Sequence, residues 1–162
     1  MTGDVTQTWQ KNMPHALAEL GLEPVAVSDT MWMVVLEGVN KRSLPVSLTV
    51  KERSLHVTAF LSAPPDEAHG HVYRLLLSRN QHVSLAHYAV DDAGQLVING
   101  RIPLGAVTEA GLDAVLGEVL ALADDVFPAV LARGFASYID TEQQWRAAAG
   151  LPPNPISGER TP

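Results

Sequence analysis

No cysteine occurs in the 162 residues. No disulfide can brace the fold, and thiolate-ligated zinc and iron–sulfur centres are excluded. Basic residues are scarce: Lys and Arg total 11 against 18 Asp and Glu, a formal net charge of -7. A nucleic-acid binder needs a basic face for phosphates, and a protein held on anionic lipid needs a polybasic patch. Neither partner is expected. Long hydrophobic runs are missing too, since spanning a bilayer takes roughly 20 apolar residues. The opening MTGDVTQTWQKNMPHA has no basic region followed by an apolar one, so no signal peptide is read there and a cytoplasmic location is expected. What is present is ordinary for one globular domain: 46% hydrophobic residues and enough length for a real core.

Taken in order, residues 1–5 read as a loose end. Trp9, Met13, Ala16, Leu17 and Leu20 recur at helical spacing, one apolar stripe. Pro14 either starts that helix or kinks it, and Gly21 is a natural stop. A short extended piece, 22–28, precedes MWMVVLEGV over 31–39, a continuous apolar run of the kind found in strands covered on both faces. Val46, Leu48 and Val50 alternate with Ser47, Thr49 and Lys51, and Leu55, Val57, Ala59 and Leu61 with His56, Thr58 and Phe60. These are half-buried strands, and their short connections imply antiparallel neighbours. Asp66 is read as the N-cap of a helix from 67 to 79, which Asn80 closes in the left-handed region. Strands 84–90 and 96–102 flank a turn, Asp91 to Gly94. Thr108 caps the last helix, where Leu112, Leu116, Val119, Ala123, Phe127, Val130 and Leu131 repeat. Pro128 removes the amide that would bond the Asp124 carbonyl, so a kink or break is expected there.

The resulting order is α-β-β-β-β-α-β-β-α, an α+β fold whose antiparallel sheet carries helices mainly on one face. One domain is expected over 6–149, with a helical extension over 138–149 and a disordered Pro- and Gly-rich tail over 150–162.

Chemistry is weakly marked. His69 and His71 are two apart near a helix start, which does not put both on one face. His82, His87, His15 and His56 lack ligand spacing, so no metal site is assigned. Asp91-Asp92 belongs to a turn and Asp124-Asp125 to one helix. Acid–base catalysis needs two carboxylates in different environments across a cleft. No nucleophile elbow, phosphate loop or dinucleotide fingerprint is present. No catalytic residue and no cofactor site is therefore assigned. What remains is the sheet face opposite the helices, with Ser47, Thr49, His56, Thr58, Phe60, His87, Val97, Asn99 and Arg101. Two readings stand: a solvated face, or a contact surface for a second subunit or a peptide strand. The candidate interaction residues are Thr49, His56, Thr58, Phe60, His87, Asn99 and Arg101.

The stretch YRLLLSRNQHVSLAHYAVDDAGQLVINGRIPL, followed by LDAVLGEVLALADDVFPAVL, resembles the second half of the YbjN family. The features are Asn80, Tyr88, Asp91 to Gly94, Ile102-Pro103-Leu104 and Phe127-Pro128. The resemblance implies a fold similar to type III secretion chaperones, small acidic proteins that often dimerise and hold an extended partner segment. It implies a sensory transduction regulator by the family's label, and it brings no catalytic residue set. The expected function is a non-enzymatic, protein-binding, chaperone-like or adaptor/regulatory domain with no specific role assigned, its partners another protein or peptide segment and a second copy in a homodimer. The alternative is a small-molecule-binding regulatory domain with a pocket between sheet and helices.

Overall fold

Alternating strands and three apolar helical stripes have one economical packing, a sheet with helices on a single face. A computed structural model of the chain, which describes residues 2–156, has that arrangement. Helix α1 (Thr2–Glu19) leads into strands β1 (Val25–Ser28), β2 (Met31–Leu36), β3 (Leu44–Val50) and β4 (Ser54–Ser62). Helix α2 (His69–Arg79) follows, then β5 (Ala86–Val90), β6 (Leu96–Pro103), α3 (Glu109–Gly134) and α4 (Ala136–Ala148). The six strands form one antiparallel sheet in the order β1-β2-β3-β4-β6-β5.

The expected alternation sets the core. Leu44, Val46, Leu48 and Val50 of β3 and Leu55, Val57, Ala59 and Leu61 of β4 are all buried. They meet Met13 and Leu17 of α1, Val72 and Leu76 of α2, and Leu112, Val115, Leu116, Val119, Ala123, Val126 and Val130 of α3 in one cluster. Gly100 lets α3 approach β6, because a Cβ there would lie 3.0 Å from Val115 Cγ2. Gly21 (φ 77°) ends α1, and Gly94 (φ 79°) turns β5 into β6, conformations that glycine adopts without steric cost.

Several local expectations give way. Helix α1 already runs from Thr2, so the segment 1–5 is not a loose end where it is described, and Pro14 lies inside the helix. Pro128 likewise lies inside an unbroken α3. The carbonyl that it strands, that of Asp124, accepts instead from Asn40 Nδ2 at 3.1 Å. The Asp124 carboxylate also accepts from the Asn40 and Lys41 amides, at 2.6 and 2.8 Å. The β2–β3 loop thus supplies what proline removes, and the chain breaks later, at Phe135. Asp66 caps nothing: α2 starts at His69 behind Ala68 at φ 52°. The amides of Asp66 and Glu67 donate to the Gly134 carbonyl, and Glu67 caps α4 by accepting from Ser137 N at 2.7 Å. Asn80 is right-handed, with φ -60°. The tail is tied down at least to Ile156: Asn154 N donates to Gln143 Oε1 at 2.9 Å and Gln143 Nε2 to the Asn154 carbonyl at 2.8 Å. The rest of the expected disordered tail, 157–162, lies outside the described residues.

Leu116, 4% exposed in the middle of the α3 stripe, tests the packing. Leu116→Ala is expected to cost about 2–5 kcal/mol, read as a lower urea midpoint with an unchanged slope.

Candidate functional site

The pairing register places the seven candidate residues. Thr49 pairs with His56, and His56 with Arg101, one row across β3, β4 and β6. Thr58 pairs with Asn99, and Asn99 with His87, in the next row. Phe60 pairs with Val97 at the far end. Paired residues share a face, so all seven lie on the uncovered side. Phe60 stands apart from the polar six: Lys41 Nζ sits 5.9 Å from its ring centre and 4.7 Å from that of Phe127.

The outward positions of the strands carry no carboxylate. His56 Nε2 lies 2.9 Å from Ser54 Oγ. Partial burial, then the charges of Arg101 and Lys51, hold the His56 imidazole below its usual titration range. This arrangement offers hydrogen bonds and a positive charge; the Ser54 hydroxyl lies beside the His56 imidazole, with no carboxylate at the outward strand positions to orient that ring. Among the described residues no three His, Asp or Glu side chains converge as a metal set.

The register also corrects β2. Its run is covered on one face only: Trp32, Val34 and Leu36 are buried, while Met31 and Met33 are half-buried and Val35 is 56% exposed. Apolar side chains therefore extend the open face beyond Thr49 and Ser47, through the pairs Met31–Thr49 and Met33–Ser47.

The two sheet edges were not located by sequence patterns, and they differ. On β5 three edge-facing groups are occupied, the Ala86 N–H and the Tyr88 N–H and C=O. Asn80 closes around Tyr88: its Oδ1 accepts from Tyr88 N at 2.8 Å, and its Nδ2 donates to the Tyr88 carbonyl at 3.1 Å. Glu118 of α3 accepts from the amides of Ser84, Leu85 and Ala86 at 2.8, 2.6 and 2.9 Å. Two side chains thus stand in for a neighbouring strand. Tyr88 is anchored from the core side as well, its hydroxyl donating to the Leu122 carbonyl at 2.7 Å. Burial, with the Asp125 charge, pushes that hydroxyl's titration far above its usual range. The opposite edge is β1, whose four residues are all exposed.

An open antiparallel sheet with helices on one side is also the fold of type III secretion chaperones. The chain superposes on the ExoU–SpcU heterodimeric complex from the type III secretion system of Pseudomonas aeruginosa with a TM-score of 0.55 at 20% identity, covering 72% of this chain and 95% of that one. It superposes on YbjN from E. coli with a TM-score of 0.55 at 12% identity, covering 75% and 90%. The model of the YbjN family, described as "Putative bacterial sensory transduction regulator", matches residues 12–132. The chain belongs to the YbjN family. It is 37% identical over 126 residues to the uncharacterised protein ML2442 of Mycobacterium leprae, covering 76% of this chain and 68% of that protein. It spans 64% of the length of Mb0497 of Mycobacterium bovis, 40% identical over 118 residues and 73% of this chain.

The lowered affinity of His56 for its proton has a sign. The unfolded chain takes up the proton near the ordinary value of 6.5, before the folded chain does, so acid favours unfolding through this group. Between about pH 7.5 and about pH 5.5 the urea midpoint should fall more for the native sequence than for His56→Gln. Parallel profiles would contradict this.

Proposed function

We propose that the protein is a non-enzymatic, protein-binding domain of chaperone-like or adaptor type, acting in the cytoplasm as a homodimer. The observation that carries this reading is the apolar surface left uncovered at the β1–β2 side of an otherwise polar sheet face. Val25 is 64% exposed, Val27 57% and Val35 56%. Clustered exposed apolar groups of this kind mark contact surfaces. The recurrence of the fold in structures of complexes such as ExoU–SpcU and the HopA1–SchA chaperone–effector complex supports the same reading. So does the family's regulatory label.

Self-association has a separate place. Leu77 is 67% and Val90 46% exposed, beside an apolar groove of about 210 Å³ between Tyr73, Leu76, Tyr88 and Ala89. A two-fold contact there would seat each copy's Leu77 in the other's groove, by side-chain packing rather than strand pairing, since Asn80 already occupies the β5 edge.

Light scattering is expected to give twice the chain mass for the native protein and the chain mass for Leu77→Glu. Affinity capture from the native cell, with mass spectrometry, should recover a protein partner. A strict monomer that captures no protein would sink the reading. Under the small-molecule alternative, a metabolite panel would instead raise the melting temperature with no protein recovered.

A further inference from the structure

Strand β2 is longer than the strand beside it. β1 reaches back along β2 only to the pair Val25–Met33, because Pro24 follows on the α1 side and the chain leaves for the helix. Val34, Val35 and Leu36 are paired with β3 alone. The direction of their backbone groups follows from the ladder. Val50 N donates to the Thr30 carbonyl at 2.8 Å, so Thr30–Val50 is a hydrogen-bonded pair, and such pairs recur at every second residue. Trp32, Val34 and Leu36 therefore bond to β3, whereas Met33 and Val35 turn their N–H and C=O the other way. Met33 meets β1. Val35 meets no strand. Pro45 sits opposite Val35, a pair that exchanges no hydrogen bond, so the N–H that proline lacks is not missed between these two strands.

The vacant position opens on a groove of about 780 Å³. Leu22, Val34, Leu36 and Leu120 give it apolar walls, and Glu23 and Glu37 give it two carboxylates. Neither carboxylate has a cation partner among the described residues. At the other edge of the sheet, Asn80 and Glu118 fill the equivalent position.

We infer that an extended segment of a partner protein, with alternate apolar side chains flanked by Lys or Arg, adds to β2 in line with β1 and pairs with Val35. This rests on the protein-binding reading and names the partner's chemistry. Alternate side chains would enter the groove against Leu22 and Leu120, and the others would lie beside Met33 and Val35, the mode of strand addition. The basic flanks would meet Glu23 and Glu37. A second copy offering the same edge is disfavoured, because it would set these carboxylates against their own kind. An unpaired strand backbone also fits a peptide better than a metabolite, since a peptide supplies donor and acceptor at the strand repeat.

The probe is a fluorescent peptide, KVTVTVK, followed by anisotropy, with EVTVTVE and an alternately N-methylated KVTVTVK as comparisons. The lysine-flanked peptide is expected to bind roughly three- to tenfold more tightly than the glutamate-flanked one. Glu23→Lys with Glu37→Lys should reverse that order. Val35→Pro removes an N–H that the sheet does not use, so circular dichroism should stay native while affinity falls by about tenfold or more. Should Val35→Pro misfold, the N-methylated peptide carries the same test from the partner's side, and its unweakened binding would overturn the inference. Equal binding of the two flanks, or no binding by any peptide, would overturn it also. If a captured partner binds the doubly substituted and native proteins alike, the docking inference falls while the protein-binding reading stands.

Discussion

The stripe of Leu112, Val115, Leu116, Val119, Ala123, Val126 and Val130 on α3 is buried against the sheet, and the rest of the molecule depends on it. With α1 and α2 it covers one face, so burial alternates along the strands. Strands β2 to β6 bury their inward side chains accordingly, except at the end of β5, where Val90 is exposed. The stripe would be interrupted at Pro128 if the Asp124 carbonyl had no donor. Asn40 provides one, so the β2–β3 loop and α3 hold each other in place at Asp124. The same loop carries Lys41 between Phe60 and Phe127.

One-sided burial leaves an open sheet with two edges, and backbone groups at an edge invite another strand. At β5 one side chain, Asn80, serves both backbone polar groups of Tyr88, and α3 adds Glu118. At β2 nothing comparable follows the end of β1. The contrast between a plugged edge and an unplugged one gives the molecule a direction. Apolar exposure accompanies it, through Val25, Val27 and Val35. The polar row from Thr49 to Arg101 lies further into the sheet, where its hydrogen-bonding groups reach solvent.

Strands β3 to β6 and the α3 stripe were legible because a period of two or of three to four is enough to assign a residue to a face. The seven face residues could be grouped for the same reason. Three features were not legible, and each depends on a contact far along the chain. MWMVVLEGV reads as covered on both sides, yet among the described residues no helix covers its outer face; periodicity cannot show how many layers surround a strand. Pro128 reads as a break, and only Asn40, 84 positions before Asp124 in the chain, lifts the penalty. Asn80 reads as a left-handed helix end, and its actual work is a pair of hydrogen bonds to Tyr88. Pro24 did carry a local signal for where β1 stops, and Pro45 one for the bonding phase of β3. Each becomes informative once the strand order is known.

Residue-resolved amide hydrogen exchange of the native, unliganded protein tests the difference between the edges most directly. The account predicts that the amides of Ala86 and Tyr88, held by Glu118 and Asn80, exchange slowly for an edge strand, while Val35 exchanges orders of magnitude faster than its neighbours Val34 and Leu36. Val35 protected as well as Val34 would mean that the β2 edge is already occupied, and the account would be wrong.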